Sequence, residues 1–290
     1  MKESSNTFLF FVLSVLNNLN LKGLRRFSIF LSKKFIHAPT ETYILKLLHG
    51  FKLQISPHKD NGIDRALHFF GTYERGTLHF MKKYLKDNQT FVDLGANIGV
   101  HAMFASKLVG QEGRVIAFEP SANTRKILLE NVQLNHCINI EVLSYAIGNS
   151  EEYVVLYKAA NETKGEVSLL EPVNFNTQTA QTEIVSLSKL DSVLNNERVD
   201  MLKIDIEGFE LEALKGAHHL IKQKPILIIE CTSATENDFY NRVDLYNYLL
   251  SLNYTVFKLK GGKSRKGKLI RVTDVEDLPD QDNLFCFSYS

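Results

Sequence analysis

The sequence predicts an α/β domain in which a mostly parallel sheet carries helices on both faces. Strand-like apolar runs alternate with helix-like segments from residue 90 to about residue 260. The first run ends in a glycine turn and is followed by a segment with helical spacing. Four of the runs finish in an acid, namely Asp93, Glu119, Asp205 and Glu230. Ligands of such sheets bind beyond the carboxyl ends of the strands, so we expect the four acids to share one site.

The composition is that of an ordinary globular chain. Of the 290 residues, 44% are hydrophobic and 23% are charged, and the net charge is +1. A net charge this close to zero gives the protein no overall positive potential that would attract nucleic acid, so we expect no specific nucleic-acid partner. Cys137, Cys231 and Cys286 are far apart and form no C-x-x-C pair. We therefore expect reduced thiols in a cytoplasmic protein, not disulfides or a zinc site.

Residues 1–57 differ from the rest of the chain. The apolar run 8–16 is shorter than the roughly 20 residues that a membrane-spanning helix needs. Eight Lys and Arg residues against two Glu residues leave residues 1–57 with a charge of +6. We predict a basic amphipathic helical extension over 1–57 that packs on a main domain, 58–290. The alternative is peripheral attachment of the extension to an anionic membrane surface, which would make the protein membrane-associated.

A polar turn at residues 71–74 precedes a predicted helix with apolar positions at Leu78, Phe80, Met81 and Leu85. The first strand, residues 90–94, follows. The turn after it has the spacing G-x-x-x-G and lacks the G-x-G-x-x-G of dinucleotide-binding proteins. Its glycines let the backbone approach a ligand closely, and the next helix begins with free N–H groups.

The second strand, residues 114–119, ends in an acid about 20 residues beyond the glycine turn. An acid at this spacing can accept hydrogen bonds from both hydroxyls of a ribose. Together with Asp93, it suggests a ligand that has a ribose and an ammonium group but no diphosphate. S-adenosylmethionine fits this description.

Further elements follow in order. Ser121 is the predicted cap of a helix that ends near Asn135, and a third strand spans residues 138–147. The predicted hairpin strands span residues 153–156, 167–170 and 183–187, and a polar surface loop spans 174–181. A strand at 226–230, a helix at 240–252 and two strands at 255–260 and 283–288 follow. A basic loop, 258–271, lies before the last strand.

Residues 199–208, VDMLKIDIEG, alternate apolar and charged side chains. If the strand persists to its end, its period of two places Lys203, Asp205 and Glu207 on one side. Burying a row of charged side chains on a central strand costs free energy unless the row lines a site. We therefore expect the carboxyl end of this strand to lie at a cleft. Gly208 begins the predicted helix that follows.

Several segments together resemble the FkbM-type family of S-adenosylmethionine-dependent methyltransferases. They are GTYE (71–74), FVDLGANIG (91–99), VIAFEP (115–120), LDSVL (190–194), LKIDIEGFELEALKGA (202–217) and ILIIE (226–230). The resemblance implies a Rossmann-like class I methyltransferase fold, with a seven-stranded sheet whose last strand, 283–288, is antiparallel. It also implies methyl transfer, most often to a hydroxyl of a sugar or natural product.

The resemblance also implies roles for individual residues. Cofactor-binding residues would be Glu74, Asp93, Gly95, Asn97, Gly99, Glu119, Pro120, Ala146 and Asp205, with Tyr145 beside Ala146 at the adenine. His101 and Glu230 would contact the acceptor. Asp205 is the first candidate for the general base and Glu207 the second. Asp205, Glu207 and Glu230 are possible metal ligands, but an Asp-x-Glu spacing alone does not lead us to predict a metal.

Three other classes of protein are weighed against this interpretation. A nicotinamide-dependent oxidoreductase would carry the G-x-G-x-x-G that is missing here. A methyltransferase of nucleobase amino groups has Asn or Asp followed by Pro-Pro and an aromatic residue where this chain has residues 205–208. A non-catalytic binding protein would not need the row of acids. The expected partner is a small-molecule or glycan acceptor, and no oligomeric state is predicted.

Overall fold

The computed structural model describes residues 41–58, 62–158, 167–169, 181–233 and 241–288. Its strands are β1 (Tyr43–Lys46), β2 (Lys52–Ile55), β3 (Thr90–Leu94), β4 (Arg114–Phe118), β5 (Ile140–Leu143), β6 (Ala146–Gly148), β7 (Glu152–Lys158), β8 (Val167–Ser168), β9 (Gln181–Lys189), β10 (Met201–Ile204), β11 (Ile226–Thr232), β12 (Tyr254–Leu259), β13 (Leu269–Arg271) and β14 (Gln281–Ser288). Its α-helices are α1 (Ile63–Phe70), α2 (Arg75–Tyr84), α3 (Val100–Val109), α4 (Ala122–Leu134), α5 (Leu190–Leu194), α6 (Glu210–Lys215), α7 (His218–Ile221) and α8 (Arg242–Ser251), and a 3₁₀ turn spans Val275–Asp277.

The main sheet has the strand order β5-β4-β3-β10-β11-β14-β12-β13. The first five of these strands are parallel, and β14 runs antiparallel to both β11 and β12. The predicted Rossmann-like class I methyltransferase sheet, with its antiparallel last strand, is therefore confirmed. The short strand β13 adds an eighth member at one edge.

Helices cover both faces of this sheet, as predicted. One hydrophobic cluster includes Leu67 of α1, Met81 of α2, Met103 of α3 and Leu128 of α4. The other face is covered by apolar residues of α5, α6, α7 and α8, among them Leu194, Leu214, Leu220 and Leu249. Among the described residues, no helix is long and apolar enough to cross a membrane.

The segment expected to be helical, residues 1–57, is described only from residue 41 onward. In that part, β1 and β2 form an antiparallel hairpin that pairs Tyr43 with Ile55, so the helical expectation is wrong there. Alternate residues of both strands are buried, which is the period of a strand and not of a helix. The hairpin also packs on the main domain, since the N–H of Gln54 donates to Asn131 Oδ1 at 2.7 Å. Residues 1–40 lie outside the described part of the chain.

The predicted third strand, residues 138–147, is two strands in different sheets. β5 stays in the main sheet, whereas β6 pairs in parallel with β9 in a second sheet of order β6-β9-β7-β8. A continuous apolar pattern cannot reveal where a chain leaves one sheet for another. The predicted hairpin is present as β7 and β8. Most of the predicted surface loop, residues 174–180, is outside the described residues.

Three other boundaries differ from expectation. β10 ends at Ile204, short of Glu207, and the helical segment after Gly208 begins at Glu210 as two short helices. β11 continues past Glu230 to Thr232 because β14 pairs with it over this length. Ser121 directly precedes α4 as its N-cap residue, but its side chain makes no capping hydrogen bond. The N–H of Ala122 instead donates to the Glu183 carboxylate at 3.1 Å.

Candidate functional site

A cavity of about 620 Å³ opens at the carboxyl ends of the central parallel strands. The second sheet contributes to its wall through Leu156 and Leu169. Most of the predicted site residues line it, and these are Gly95, Asn97, His101, Glu119, Pro120, Tyr145, Ala146, Asp205, Glu207 and Glu230. Glu74, Asp93 and Gly99 are not part of its lining, and their contacts are described below.

The glycine turn is held tightly between neighbouring strands. Gly95 has φ +78°, and a Cβ at this position would lie 1.9 Å from the carbonyl oxygen of Asp205. The N–H groups of Gly95 and Ala96 both donate to the carbonyl of Phe118. Gly99 serves packing, because a Cβ there would meet Leu128 of α4 at 2.6 Å. Only glycine at position 95 lets the turn pass so close to the end of β10.

Glu119 follows β4 and is buried beside the turn. Its carboxylate accepts hydrogen bonds from the N–H groups of Asn97 and Ser121, each at 3.0 Å. Burial raises the pKa of Glu119 to about 7, although these two hydrogen bonds act in the opposite direction. A carboxylate has about four acceptor sites, so further sites remain for hydroxyl groups in the cavity.

Asp93 and Lys203 lie opposite each other on neighbouring strands β3 and β10. Asp93 is fully buried, and among the described residues neither of its side-chain oxygens has a hydrogen-bond partner. Burial raises the pKa of Asp93, while the Lys203 charge opposes this shift. Asp93 is therefore a buried carboxyl group next to Lys203, two residues before Gly95, and it does not line the cavity itself.

Lys203 is 2% exposed, and its Nζ lies 2.7 Å from Asp205 Oδ2. Burial alone would raise the pKa of Asp205, but Lys203 and then Lys263 outweigh burial and lower it. Asp205 is thus held as a carboxylate at the cavity wall. Because its pKa is low, it is a weak proton acceptor.

Three carboxylates meet at this end of the cavity. Oxygens of Asp205, Glu207 and Glu230 lie within 4.8 Å of one another, and this group could hold a metal ion. The expected strand alternation does not bring Glu207 there, since β10 has already ended. Glu207 instead has φ +54° in a turn whose N–H groups at Ile206 and Gly208 donate to Glu210.

Lys263 is the site residue that the sequence did not reveal. It belongs to the basic loop between β12 and β13, and its Nζ lies 2.6 Å from Glu230 Oε1 and 3.0 Å from Glu74 Oε1. The loop is anchored by its backbone: Gly76 donates to the Lys263 carbonyl at 2.8 Å, and Lys263 donates to Asp282 at 2.6 Å. Nothing in the local sequence separates Lys263 from the other basic residues of the loop.

Glu74 lies behind Lys263 in a buried network. Its Oε2 accepts a hydrogen bond from Asn283 at 3.0 Å and lies 3.4 Å from His101 Nε2. Burial would raise the pKa of Glu74, but Lys263 and then His101 hold it well below its usual range. Glu74 was predicted to bind the cofactor. The structure places it as a support for two residues that line the cavity.

Glu230 differs electrostatically from Asp205. Burial, and then the negative charge of Asp205, raise the pKa of Glu230 to about 9, while Lys263 opposes the shift. Glu230 therefore binds a proton more tightly than Asp205 does. The cavity wall thus combines a carboxylate that is hydrogen-bonded to the glycine turn with carboxylates of unequal basicity beside an ammonium group.

Comparison with known proteins places this geometry in a family. Residues 93–256, more than half of the chain, match the methyltransferase FkbM domain. The chain is 30% identical over 164 residues to methyltransferase sdnD of Sordaria araneosa, and the alignment covers 46% of this chain and 61% of that protein. It is 26% identical over 159 residues to the hexuronic acid methyltransferase AglP of Haloferax volcanii, covering 54% and 62%.

The chain thus spans about three fifths of the length of these relatives. Among solved structures, methyltransferase FkbM from Methylobacillus flagellatus is 22% identical, with a TM-score of 0.46 over 76% of this chain and 52% of that chain. Glu74 and Lys263 both lie outside the matched residues, so the domain match does not cover this part of the site. The family match covers more than half of the sequence, and the chain belongs to the FkbM methyltransferase family.

Proposed function

We propose that this protein is an S-adenosylmethionine-dependent methyltransferase that methylates a hydroxyl group of a sugar, glycan or natural product. The observation that carries the proposal is the arrangement of the cavity. Its lining contains Glu119 with the glycine turn and, as a second group, Asp205, Glu230 and Lys263. In this proposal the first group forms the cofactor end and the second group forms the acceptor end. The similarity to a hexuronic acid methyltransferase supports a carbohydrate-like acceptor.

The cofactor end fits S-adenosylmethionine by its donor set. Glu119 has acceptor sites left for two ribose hydroxyls, and the close-packed turn at Gly95 leaves no side chain in the way. In this proposal Ala146 and Tyr145, which line the cavity, contact the adenine ring of the cofactor. Asn97, also in the lining, contacts its methionine part. When bound, S-adenosylmethionine supplies an electrophilic methyl group on a positively charged sulfur. The Asp205 carboxylate, whose pKa is lowered, suits a cation at this position.

The acceptor end is suited to hydroxyl chemistry. A sugar hydroxyl is a poor nucleophile near neutral pH, and removal of its proton in the transition state typically contributes about 10²–10⁴-fold to the rate. Glu230 is the better-matched proton acceptor, because burial and Asp205 raise its pKa while Lys203 keeps that of Asp205 low. In this proposal Asp205 anchors the acceptor, and Glu230 takes its proton.

Lys263 completes the acceptor end. An ammonium group has three N–H donors, and its described carboxylate partners are Glu74 and Glu230. The third donor is left for an oxygen of the acceptor in the cavity. Lys263 can donate a hydrogen bond to one carbohydrate oxygen while Glu230 accepts one from a neighbouring hydroxyl. Correct placement of the hydroxyl in line with the methyl group is the largest contribution that such a site can make.

The proposal is tested by ligand binding and then by turnover. Thermal unfolding and calorimetry are measured with S-adenosylmethionine, S-adenosylhomocysteine and NAD. We expect the first two to bind and raise the melting temperature with concentration, and NAD to have no effect. Radiolabelled methyl transfer is then measured with a panel of monosaccharides and uronic acids. Stabilisation by NAD alone would contradict the proposal and favour an oxidoreductase.

A further inference from the structure

Four segments of the chain contain no acidic residue. Residues 42–58, 75–86, 100–111 and 257–273 together carry fourteen of the 34 Lys and Arg residues and none of the 33 Asp and Glu residues. The net charge of the chain is only +1, so the remaining residues are correspondingly acidic. The positive charge is therefore concentrated in a few segments and is not spread evenly over the chain.

The fold brings these four segments together. The Lys107 Nζ donates to the carbonyl of His49 at 3.2 Å, which joins α3 to the turn of the β1–β2 hairpin. The N–H of Gly76 donates to the carbonyl of Lys263, which joins α2 to the loop between β12 and β13. We call the resulting surface the basic face, defined by Arg75, Lys82, Lys83, Lys107 and Lys266. All of them except the half-buried Arg75 are exposed.

Two histidines at this surface experience its positive field. The pKa of His49 is lowered to about 4 by burial and then by Arg75, Lys266, Lys82 and Lys107. The pKa of His79 is also lowered, by burial and then by Lys266, Lys83 and Lys82. Lysines of α2 and the β12–β13 loop therefore act together on the same groups. Charges of one sign repel each other in the folded protein, and an anionic partner would relieve this repulsion.

Exposed aliphatic side chains accompany the lysines. Leu48, beside His49 in the hairpin turn, is 45% exposed, and Ile270 of β13 is 41% exposed. The phenylalanine and tyrosine side chains of the four segments are buried or half-buried, so none of them offers an exposed ring on which a nucleobase would stack. Cations around exposed aliphatic groups are typical of proteins that rest on an anionic bilayer.

We propose that the basic face docks the protein on the surface of an anionic lipid bilayer. Lysines of α2, α3 and the β12–β13 loop would contact lipid headgroups, with Leu48 reaching the interface. This surface differs from the N-terminal segment 1–57, because its basic residues belong to α2, α3 and the β12–β13 loop, and only Leu48 and His49 come from that segment.

Docking would also orient the cavity. Residues 261–264 of the β12–β13 loop line the cavity, and Lys266 is three residues from Lys263. The cavity wall and the basic face therefore share the β12–β13 loop. If the proposed function holds, the acceptor hydroxyl belongs to a molecule held at the membrane surface, such as a glycan on a lipid.

The test is co-sedimentation of the full chain with vesicles of phosphatidylcholine alone and of phosphatidylcholine mixed with phosphatidylglycerol. We expect binding only to the anionic vesicles, with weakening at high salt. Lys82→Glu and Lys266→Glu should each weaken binding about tenfold, and the double variant should weaken it further. Leu48→Ser should weaken binding severalfold even at high salt, because its contribution is apolar.

Lys222→Glu is the matched control, since Lys222 is exposed and follows α7, which packs on the opposite face of the main sheet. It should bind vesicles as the unmodified protein does. Equal binding of the double variant and the unmodified protein, or equal binding to both kinds of vesicle, overturns the proposal. Binding to single-stranded RNA without binding to vesicles overturns it too. Calorimetry of the double variant with S-adenosylmethionine separates the two proposals, because a failure of cofactor binding contradicts only the proposed function.

Discussion

Lys263 and Glu230 form an ion pair, with 2.6 Å between Nζ and Oε1, that joins the basic loop to the central sheet. The same ammonium group lies 3.0 Å from Glu74, which precedes α2. One side chain thus contacts two buried carboxyl groups from distant parts of the sequence. Lys263 also lines the cavity itself.

We expect Lys263→Met to destabilise the protein by about 3–5 kcal/mol, because it leaves the ionised Glu74 buried without its cation. Lys263 lowers the pKa of Glu74, so its contribution through Glu74 is present above pH 4.5 and is lost as the pH falls through the lowered pKa. The loss in the free energy of unfolding should therefore shrink on acidification from pH 7 to pH 4. Denaturant titrations at both pH values measure it. Lys263→Arg keeps the charge and should lose much less.

Glu119→Gln should weaken S-adenosylmethionine binding by roughly 1.5–3 kcal/mol, the value of hydrogen bonds to a charged group. It should also change how stability depends on pH. The folded-state pKa of Glu119 is raised to about 7, so its ionisation costs the folded protein stability as the pH rises from 4.5 through 7. This cost is about 3 kcal/mol at most, and the variant should be free of it.

Calorimetry and denaturation at pH 5 and pH 8 check the Glu119 prediction. The variant should gain stability relative to the unmodified protein at the higher pH. Unchanged affinity for the cofactor would remove Glu119 from the binding site.

Gly95→Ala should disrupt the cofactor end of the cavity. Its φ of +78° would cost a side chain about 1–2 kcal/mol. The contact at 1.9 Å with the Asp205 carbonyl should add roughly 1–3 kcal/mol and move the turn. Gly261→Ala is a matched control, because Gly261 has φ +95° but a Cβ there would meet no atom closer than 3.5 Å. We expect both variants to be less stable, and only Gly95→Ala to lose cofactor binding by calorimetry.

Asp205→Asn removes the carboxylate that lies 2.7 Å from the buried Lys203. We expect a loss of about 3–5 kcal/mol in the free energy of unfolding, as for other broken buried ion pairs. The double variant Lys203→Met/Asp205→Asn should recover only part of it, because the uncompensated Lys203 charge is removed but Asp93 loses its neighbouring cation. Denaturation of the two single variants and the double variant measures this coupling. A singly substituted Asp205→Asn protein that is fully stable would contradict the assigned pair.

Glu230→Gln should reduce turnover by about 10²-fold or more if Glu230 accepts the proton of the hydroxyl. Because its pKa is raised to about 9, the rate of methyl transfer should rise with pH up to that region. Asp205, whose pKa is lowered, would already be ionised at neutral pH and would give a flat profile there. Radiolabelled transfer to an acceptor found in the panel, measured from pH 6 to pH 10, distinguishes the two bases.

The sequence predicted those parts of the site that follow strand ends. A buried strand has an apolar run with a clear end, and parallel strands place their carboxyl ends at one edge of the sheet. Glu119 and Asp205 were assigned to the cavity on this basis, and both line it. The glycine turn was recognisable for the same reason, because a positive φ and a close approach require glycine whatever surrounds the turn.

Tertiary structure alone decided which loop side chains point inward. Lys263 resembles its neighbours in the basic loop, and its burial depends on the anchoring of that loop by Gly76 and Asp282. Likewise, the apolar pattern of residues 138–147 determined that strands form there, but their division between two sheets depends on the pairing of β6 with β9. Spacing along the chain records the period of each element. Contacts between elements far apart in sequence depend on packing, which no local pattern encodes.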